Sequence, residues 1–328
     1  MPTFDKDKLL AGMKLIIQIP CYNEEQTLPL VLKDIPREIP GIDMIETQII
    51  DDGCTDRTVD VAGEQGVNHV VSYVGHKGLA EAFKRGLSYA LEQDADILVN
   101  TDGDNQYPSA DIPRLIEPIL TGEADIVVGD RKVPTNPHFS WVKRCLQRLG
   151  SRVTSYLAGA PVADAVSGFR AYNRQAMLEI NIVSEFSYVL DTTVQASKKK
   201  LMIQHVPIDT NAPTRPSRLF RNVWEHIKRS SVDLVRVYSL YEPFKVFIGL
   251  AAIFVLVGLY PFLRFVYFVF QDGGAGHIQS LIFGTIFFII GFQFLGLGIL
   301  GDHMRVNRKL IEEVLLRMKQ RDRDKRDH

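Results

Sequence analysis

Asp102 and Asp104 are the residues of this sequence that most directly suggest a chemical function. They belong to the run Asp-Gly-Asp-Asn-Gln, which ends at Gln106 and follows the apolar residues 97–99. Two carboxylates two residues apart beyond a buried strand can face one Mg²⁺ or Mn²⁺ ion, which then keeps coordination positions for diphosphate oxygens. Acidic pairs are also common in turns and helix caps, and the run alone leaves that alternative open.

Two further polar segments follow apolar runs. Residues 20–25 read Pro-Cys-Tyr-Asn-Glu-Glu and residues 51–56 read Asp-Asp-Gly-Cys-Thr-Asp. A carboxylate there can accept from a base N–H or a ribose hydroxyl, although Asp52 or Thr55 could instead cap the following helix. The Gly-His-Lys-Gly run at 75–78 offers backbone N–H groups and an ammonium to phosphate or base, unless its lysine is simply solvated.

Short apolar runs alternate with amphipathic segments through the first half of the chain, a pattern typical of a mostly parallel sheet flanked by helices. The predicted strands are Leu15–Ile19, Met44–Ile50, His69–Ser72, Ile97–Asn100 and Ile126–Gly129. The predicted helices include Gln26–Lys33, Thr55–Glu64 and Leu79–Gln93. Ligands of open α/β sheets bind beyond the carboxyl ends of the strands, and the polar segments lie at such ends.

The composition is that of a folded protein with no affinity for nucleic acid. The chain has 328 residues, 46% of them hydrophobic, and a net charge of −1. Its three cysteines form no pattern typical of disulfides or zinc sites, which favours a reducing compartment. The first 14 residues lack the features of a signal peptide, so we expect the catalytic part to be cytoplasmic.

Two long apolar stretches predict a transmembrane hairpin. Residues 246–270 and 278–300 are each long enough, at about 1.5 Å per residue, to cross a hydrocarbon core of about 30 Å. The connection 271–277 contains no Lys or Arg, whereas Lys245 precedes the hairpin and basic residues follow it. By the positive-inside rule, both termini face the cytoplasm. The alternative is a pair of buried helices in a soluble protein.

Basic amphipathic segments surround this hairpin. Residues 219–241 predict interfacial helices on the inner leaflet, or else helices packed on the core, and residues 141–156 predict a second membrane contact. Residues 302–328 predict a charged, helical cytoplasmic tail. The predicted domains are 1–217, 218–243, 244–301 and 302–328, in the order sheet domain, interfacial helices, hairpin and tail.

The order of the motifs resembles that of the family 2 glycosyltransferases, which have a GT-A fold, over most of residues 14–215. The matching motifs are Pro-x-Tyr-Asn-Glu-Glu at 20–25, Asp-Asp-Gly-x-Thr-Asp at 51–56, Gly-x-Lys-Gly at 75–78, Asp-x-Asp-x-Gln at 102–106 and Ser-Gly-Phe-Arg at 167–170. The last motif and the hairpin resemble the polyprenyl-phosphate branch, which includes dolichyl-phosphate mannose synthases and bactoprenol glucosyltransferases. Cys21, Cys54 and Gly103 depart from the commoner residues without removing a ligand.

The resemblance implies roles for individual residues. The fold would be α/β of the GT-A type, a Rossmann-like and mostly parallel sheet. The residues that would bind the nucleotide sugar are Pro20, Tyr22, Glu24, Asp52, Lys77, Asp102 and Gly103. Asp104 and Gln106 would be the main ligands of Mg²⁺ or Mn²⁺, while Asp102, the third candidate ligand, would lie nearer the ribose and the sugar.

A polyprenyl-phosphate acceptor predicts cations on its side of the site. A lipid monophosphate has a second pKa of about 6 and is largely a dianion at neutral pH, so the reaction needs alignment and charge stabilisation rather than a strong base. The candidate catalytic residues are Asp164, Arg170 and Arg131, and the candidate acceptor-phosphate residues are Arg215, Ser217 and Arg218. Asp164 is open to three roles: general base, orienter of an arginine, or support for the metal.

The resulting hypothesis is an inverting, metal-dependent transfer of a hexose from UDP-glucose or GDP-mannose to undecaprenyl or dolichyl phosphate at the cytoplasmic membrane face. The hairpin would anchor the domain and could support a homo-oligomer such as a tetramer. Three alternatives remain: a membrane enzyme that extends a glycan, transfer to a diacylglycerol-type lipid or a protein, and a binding module without turnover. The sequence does not distinguish the sugar or the nucleotide.

Overall fold

The computed structural model divides the chain into two compact units, Met1–Leu234 and Val235–His328. The residues that the structure describes are 12–132, 151–152, 154–156, 159, 164, 167–182, 188–212, 232, 235–236, 238–273 and 276–324. Most of the predicted interfacial segments, 141–156 and 219–241, therefore lie outside the described residues.

The first unit contains a seven-stranded sheet in the order β3-β2-β1-β4-β6-β5-β7. The strands are β1 Lys14–Cys21, β2 Met44–Asp51, β3 His69–Ser72, β4 Ile97–Asn100, β5 Ile126–Asp130, β6 Arg170–Asn173 and β7 Ile203–Pro207. All pairings are parallel except those of β6, which runs antiparallel between β4 and β5. The mostly parallel α/β sheet and its first five strands are confirmed, whereas β6 and β7 were not predicted.

The helices of this unit whose bounds the structure describes are α1 Leu28–Lys33, α2 Thr58–Glu64, α3 Leu79–Glu92, α4 Ile112–Leu120, α5 Arg174–Glu179 and α6 Tyr188–Lys198. Strand residues alternate between the two faces. Leu15 and Ile17 of β1 pack in the core cluster that contains residues of α1, α2 and α4. Ile16 belongs to the opposite cluster, where Phe83 of α3 stacks on Tyr188 of α6 with ring centroids 4.1 Å apart. Helices on both faces leave the strand ends as the place for a ligand.

The second unit contains two long apolar helices, α7 Pro243–Asp272 and α8 Ile278–Asp324, both long and apolar enough to cross a membrane. They are antiparallel and meet along glycines that recur every seven residues of α8. A Cβ at Gly284 would be 3.1 Å from the Gly258 carbonyl oxygen, and one at Gly291 would be 2.9 Å from Val255. Farther along α8, a Cβ at Gly298 would be 3.2 Å from the Phe247 Cβ. Small residues of this kind allow close contact between helix backbones.

Helix α8 continues without a break through the predicted boundary between the hairpin and the tail at residues 301–302. The sequence pattern ended the apolar stretch at Leu300, because charged residues begin at Asp302. These charges support the helix instead of interrupting it: Asp302 pairs with Arg305 at 2.8 Å and Arg308 with Glu312 at 2.8 Å, at i,i+3 and i,i+4 spacings.

The glycine contacts predict that Gly291→Leu destabilises the helix pair. The added side chain must displace Val255 and the Ala251 carbonyl, so we expect the free energy of unfolding to fall by about 1–3 kcal/mol, as for other overpacked sites. Thermal unfolding of the full chain in lipid nanodiscs measures this change. Gly296→Leu is the matched control, because a Cβ at Gly296 meets nothing within 4 Å. Equal effects of the two variants would contradict the role of this contact.

Candidate active site

The carboxyl ends of β1, β2 and β4 lie side by side and bring three predicted polar segments together. Cys21 of β1 is in register with Asp51 of β2, and β4 pairs with β1 on its other side. Beyond β4, a Cβ at Gly103 would be 3.1 Å from the Cys21 sulfur, 3.3 Å from Glu24 Cγ and 3.4 Å from the Pro20 carbonyl oxygen. Gly103 therefore allows the acidic run to lie against residues 20–24.

Asp52 directs its buried carboxylate at residues 73–78. Oδ1 accepts hydrogen bonds from the Tyr73 hydroxyl and the Lys77 backbone N–H, both at 2.7 Å. Oδ2 accepts from the Gly78 N–H at 2.9 Å and lies 2.8 Å from His76 Nδ1. The side chain is only 3% exposed. Asp52 therefore fixes the chain at the start of α3.

The alternative in which Asp52 or Thr55 caps the next helix is wrong. The α2 helix begins at Thr58, three residues later than predicted, and the Thr58 N–H donates to Asp56 Oδ1 at 3.0 Å. The Thr55 N–H instead donates to Asn23 Oδ1 at 2.7 Å. The sequence pattern did not predict the contacts of Asp52, because their donors Tyr73, Lys77 and Gly78 come after β3 in the chain.

Aromatic rings lie beside these contacts. Tyr22 stacks on His76 with ring centroids 4.0 Å apart, and Tyr22 remains 37% exposed. The Lys77 ammonium lies 5.7 Å from the centroid of the Tyr73 ring. The structure thus brings Tyr22, Asp52 and Lys77 together at one part of the sheet edge, and an exposed ring there offers a surface for a flat base.

Like charge accumulates at the end of β4. The pKa of Asp102 is raised to about 7, mainly because the carboxyl is buried and also because the Asp104 and Glu24 carboxylates are nearby, while Arg131 acts to lower it. A divalent cation would remove this repulsion, because nearby positive charge favours the ionised carboxylate. The donor set of two carboxylates and the Gln106 amide suits Mg²⁺ or Mn²⁺.

Among the residues that the structure describes, no three His, Cys, Asp or Glu side chains are grouped closely enough to hold a metal ion. A site with few protein ligands leaves coordination positions for phosphate oxygens, which is how Mg²⁺ is commonly bound beside a substrate. The Asp102, Asp104 and Gln106 side chains fit a metal ion of this kind, shared with a diphosphate.

A turn holds Asp104 and Gln106 in place. The Gln106 N–H donates to Asp104 Oδ1 at 3.0 Å, and Asn105 between them has a φ of 59°. The Asn211 N–H donates to the Gln106 carbonyl at 3.0 Å, and its side-chain amide donates to the Asn105 carbonyl at 2.9 Å. Asn211 thus ties the candidate metal-binding turn to the chain that follows β7, a contact that sequence reasoning did not predict.

Arg131 and Asp164 form a buried ion pair near Asp102. Arg131 Nε donates to Asp164 Oδ2 at 2.6 Å, and its terminal nitrogen donates to Oδ1 at 2.9 Å. Both carboxylate oxygens accept from the arginine, so these contacts support the orienting role among the three that were open for Asp164. The guanidinium is at the same time the positive charge that lowers the pKa of Asp102.

Arg170 is the first residue of β6, and its side chain lies against helix α6. Its guanidinium donates to the Ser167 carbonyl at 2.9 Å and to the hydroxyls of Thr192 and Thr193 at 2.9 and 3.0 Å. Its side chain is 1% exposed. These contacts anchor the Ser-Gly-Phe-Arg motif to α6, and the register pairs Arg170 with Asn100, the last residue of β4. Arg215, Ser217 and Arg218 lie outside the described residues.

Comparison with known proteins identifies the family. The profile of glycosyl transferase family 2 matches residues 16–180, half of the chain, and the chain belongs to this family. It is a glycosyltransferase. The family and the enzyme class predicted from the sequence motifs are thus confirmed.

Similar sequences match between 60% and 89% of the chain. Undecaprenyl-phosphate mannosyltransferase of Micrococcus luteus is 29% identical over 206 residues, 60% of this chain and 83% of the relative. Polyprenol monophosphomannose synthase of Mycolicibacterium smegmatis is 26% identical over 60% of this chain and 76% of the relative. Undecaprenyl-phosphate 4-deoxy-4-formamido-L-arabinose transferase of Sodalis glossinidius is 25% identical over 89% and 88%.

Solved structures confirm the GT-A fold. Glucosyl-3-phosphoglycerate synthase from Mycobacterium tuberculosis, crystallised with Mn²⁺, UDP and glucosyl-3-phosphoglycerate, has a TM-score of 0.51 and 22% identity. The comparison covers 73% of this chain and 84% of that one. The same enzyme with Mg²⁺ and UDP has a TM-score of 0.52.

The contacts of Asp52 predict that Asp52→Asn loosens residues 73–78. An amide NH₂ replaces one acceptor and faces N–H donors, so trypsin should cleave the Lys77–Gly78 bond about 10-fold faster, as expected when one net hydrogen bond is lost. Mass spectrometry of timed digests measures the cleavage. Asp60→Asn, at an exposed position of α2, is the control. Cleavage of Asp52→Asn at the wild-type rate would contradict the conclusion that the Asp52 carboxylate holds residues 73–78 in place.

The buried ion pair predicts a large loss of stability in Asp164→Asn. Arg131 would keep its charge without a bidentate partner, so the free energy of unfolding should fall by about 3 kcal/mol or more. Chemical denaturation measures the change. Asp111→Asn, which breaks the exposed pair with Arg114, should cost less than about 1 kcal/mol. A small effect in both variants would show that the buried pair contributes little.

Proposed function

We propose that this glycosyltransferase moves a hexose, with inversion, from a nucleotide sugar to polyprenyl phosphate at the cytoplasmic face of a membrane. The observation that carries the polyprenyl-phosphate acceptor is the likeness to the Sodalis glossinidius undecaprenyl-phosphate transferase, which extends over 89% of this chain. A match of that extent is longer than the first unit and therefore reaches into the candidate membrane helices. The name of that relative gives a pentose derivative as its sugar, and the choice of a hexose follows the Micrococcus luteus mannosyltransferase instead. UDP-glucose and GDP-mannose are the donors to be tested first.

The contacts at the sheet edge support a division of roles. Pro20, Tyr22, Glu24, Asp52 and Lys77 would hold the nucleoside, with Tyr22 offering its exposed ring. Asp102 and Gly103 would lie beside the sugar. Asp104 and Gln106, with Asp102, would hold Mg²⁺ or Mn²⁺, which when bound stabilises the negative charge of the departing nucleoside diphosphate.

The acceptor is already an anion, so this chain has to align it with the anomeric carbon and offset its charge. Arg131, oriented by Asp164, lies close enough to Asp102 to lower the pKa of that carboxyl. Arg170 would act indirectly, by anchoring residues 167–170 to α6. Arg215, Ser217 and Arg218 would bind the phosphate, and guanidinium suits phosphate through bidentate hydrogen bonds.

The membrane topology belongs to the same proposal. Residues 271–277 contain no Lys or Arg, whereas Lys245 precedes α7 and Arg305 and Arg308 lie in the later part of α8. The positive-inside rule then puts both ends of the hairpin, and with them the catalytic unit, on the cytoplasmic side. A homo-oligomer such as a tetramer would bring several such hairpins together.

The test is product formation by the full chain in nanodiscs with undecaprenyl or dolichyl phosphate, a panel of labelled nucleotide sugars, and Mn²⁺, Mg²⁺ or chelator. One donor should yield a lipid product that is labile to mild acid. We expect chelator or Asp104→Ala to reduce the rate by about 100-fold or more, the scale of losing one contact to developing charge. Asp60→Ala, at an exposed position of α2, should leave the rate unchanged.

Other outcomes separate the alternative functions. Label that appears in a glycan, a protein or a diacylglycerol-type lipid would replace polyprenyl phosphate as the acceptor. Metal-dependent binding of a nucleotide sugar without transfer to any acceptor would indicate a binding module. Full activity in chelator would overturn the metal assignment.

A further inference from the structure

Three amide side chains form a row inside the sheet, away from the groups assigned above. Gln48 on β2, Gln18 on β1 and Asn100 on β4 occupy paired register positions on three adjacent strands. All three are fully buried. They share the sheet face that packs against α3 and α6.

Hydrogen bonds connect the row from end to end. Gln48 Nε2 donates to the Gly86 carbonyl at 2.8 Å and to Gln18 Oε1 at 3.1 Å. Gln18 Nε2 donates to Asn100 Oδ1 at 3.0 Å. Asn100 Nδ2 donates to the Gly168 carbonyl at 3.0 Å.

The orientation of each amide in the row is fixed, because the groups at both ends of the row are backbone carbonyls. A carbonyl can only accept, so Gln48 must turn its NH₂ toward Gly86 and Asn100 must turn its NH₂ toward Gly168. The orientation of the Gln18 amide follows from these two, because its Oε1 accepts from Gln48 and its Nε2 donates to Asn100. Gly86 is needed at the first end, since a Cβ there would be 2.2 Å from Gln18 Oε1.

The far end of the row meets the candidate active site at the Gly168 peptide. A Cβ at Gly168 would lie 3.1 Å from both carboxylate oxygens of Asp102, so this glycine is in direct contact with the acidic centre. The Gly168 N–H donates to the hydroxyl of Tyr107, the residue that follows Gln106, at 3.1 Å. Tyr188 of α6 also donates to the Gly168 carbonyl, at 3.3 Å.

Stability does not explain the row. Burying an amide carries a desolvation penalty that its hydrogen bonds only partly offset, and apolar groups of similar shape can be equally stable. Within the described residues, Gln48 Oε1 has no hydrogen-bond partner, which adds to the penalty. A buried network that specifies one arrangement better explains why these positions carry amides.

We propose that Asn100 is a positioning residue that sets the place of the Asp102 carboxylate through the Gly168 peptide, and that Gln18 and Gln48 set the direction of the Asn100 amide. The row fixes the 167–169 segment relative to β4, and Tyr107 extends this constraint to the turn that carries Asp104. The catalytic consequence rests on the proposed transferase function, whereas the positional consequence does not.

The first test is hydrogen–deuterium exchange of the full chain in nanodiscs, comparing wild type with Gln18→Met/Gln48→Met/Asn100→Leu. This variant removes all three amides together, so no partner is left unsatisfied within the row. We expect exchange in residues 102–107 and 167–169 to become about 10-fold faster, with strands β1–β3 little changed. Gln195→Met removes a buried amide that bonds Asn181 and Asp191 instead, and it is the matched control.

Two exchange results would overturn the proposal: unchanged exchange in both segments, or equal acceleration over the whole sheet, which would mean only lower stability. The second test is kinetic. We expect kcat to fall about 10- to 100-fold with little change in the KM of the donor, the pattern of misaligned reacting groups. An unchanged kcat in the triple variant would overturn the catalytic consequence. Absence of product with wild type would instead refute the proposed function, and the exchange result would still decide the positional role.

Discussion

Repulsion between carboxylates at the carboxyl edge of the sheet is the interaction on which the arrangement of this site depends. Asp102 and Asp104 are brought close by strand β4, and Glu24 adds its charge from the end of β1. Each carboxylate loses part of its hydration there, so the fold must supply compensating charge and hydrogen bonds. Arg131 provides one such charge, and the bidentate contact with Asp164 holds it in position.

Backbone groups supply much of the remaining compensation. Asp52 accepts from two successive backbone N–H groups at the start of α3, and Asp104 accepts from the backbone of its own turn. Such contacts connect loops that are far apart in sequence, because each parallel strand returns its following loop to the same edge. The site is consequently built from short segments whose positions depend on one another more than on any single helix.

Residue patterns were sufficient to predict the elements that repeat a simple period. The five apolar strands and the two long apolar helices follow from such patterns, and the motifs after the strands predicted the family. Strand β6 was not predicted, because Arg170-Ala171-Tyr172-Asn173 is short and begins with a charged residue. Only the tertiary contacts of Arg170 with α6 make the burial of that charge possible. The partners of Asp52 could not be predicted, since Tyr73 and Gly78 lie more than 20 residues later in the chain, after the neighbouring strand β3. Likewise, no local signal links Arg131 to a residue 33 positions away.

The length of helix α8 has a mechanical consequence for the second unit. Its 47 residues extend about 70 Å, so if its apolar part crosses a hydrocarbon core of about 30 Å, about 40 Å of the same rigid rod lies beyond it. A span tilted by about 20°, as is common in membranes, would swing the far end of that rod sideways by about 14 Å. Bilayer thickness, which influences the tilt through hydrophobic mismatch, would thereby change the position of the far end of α8.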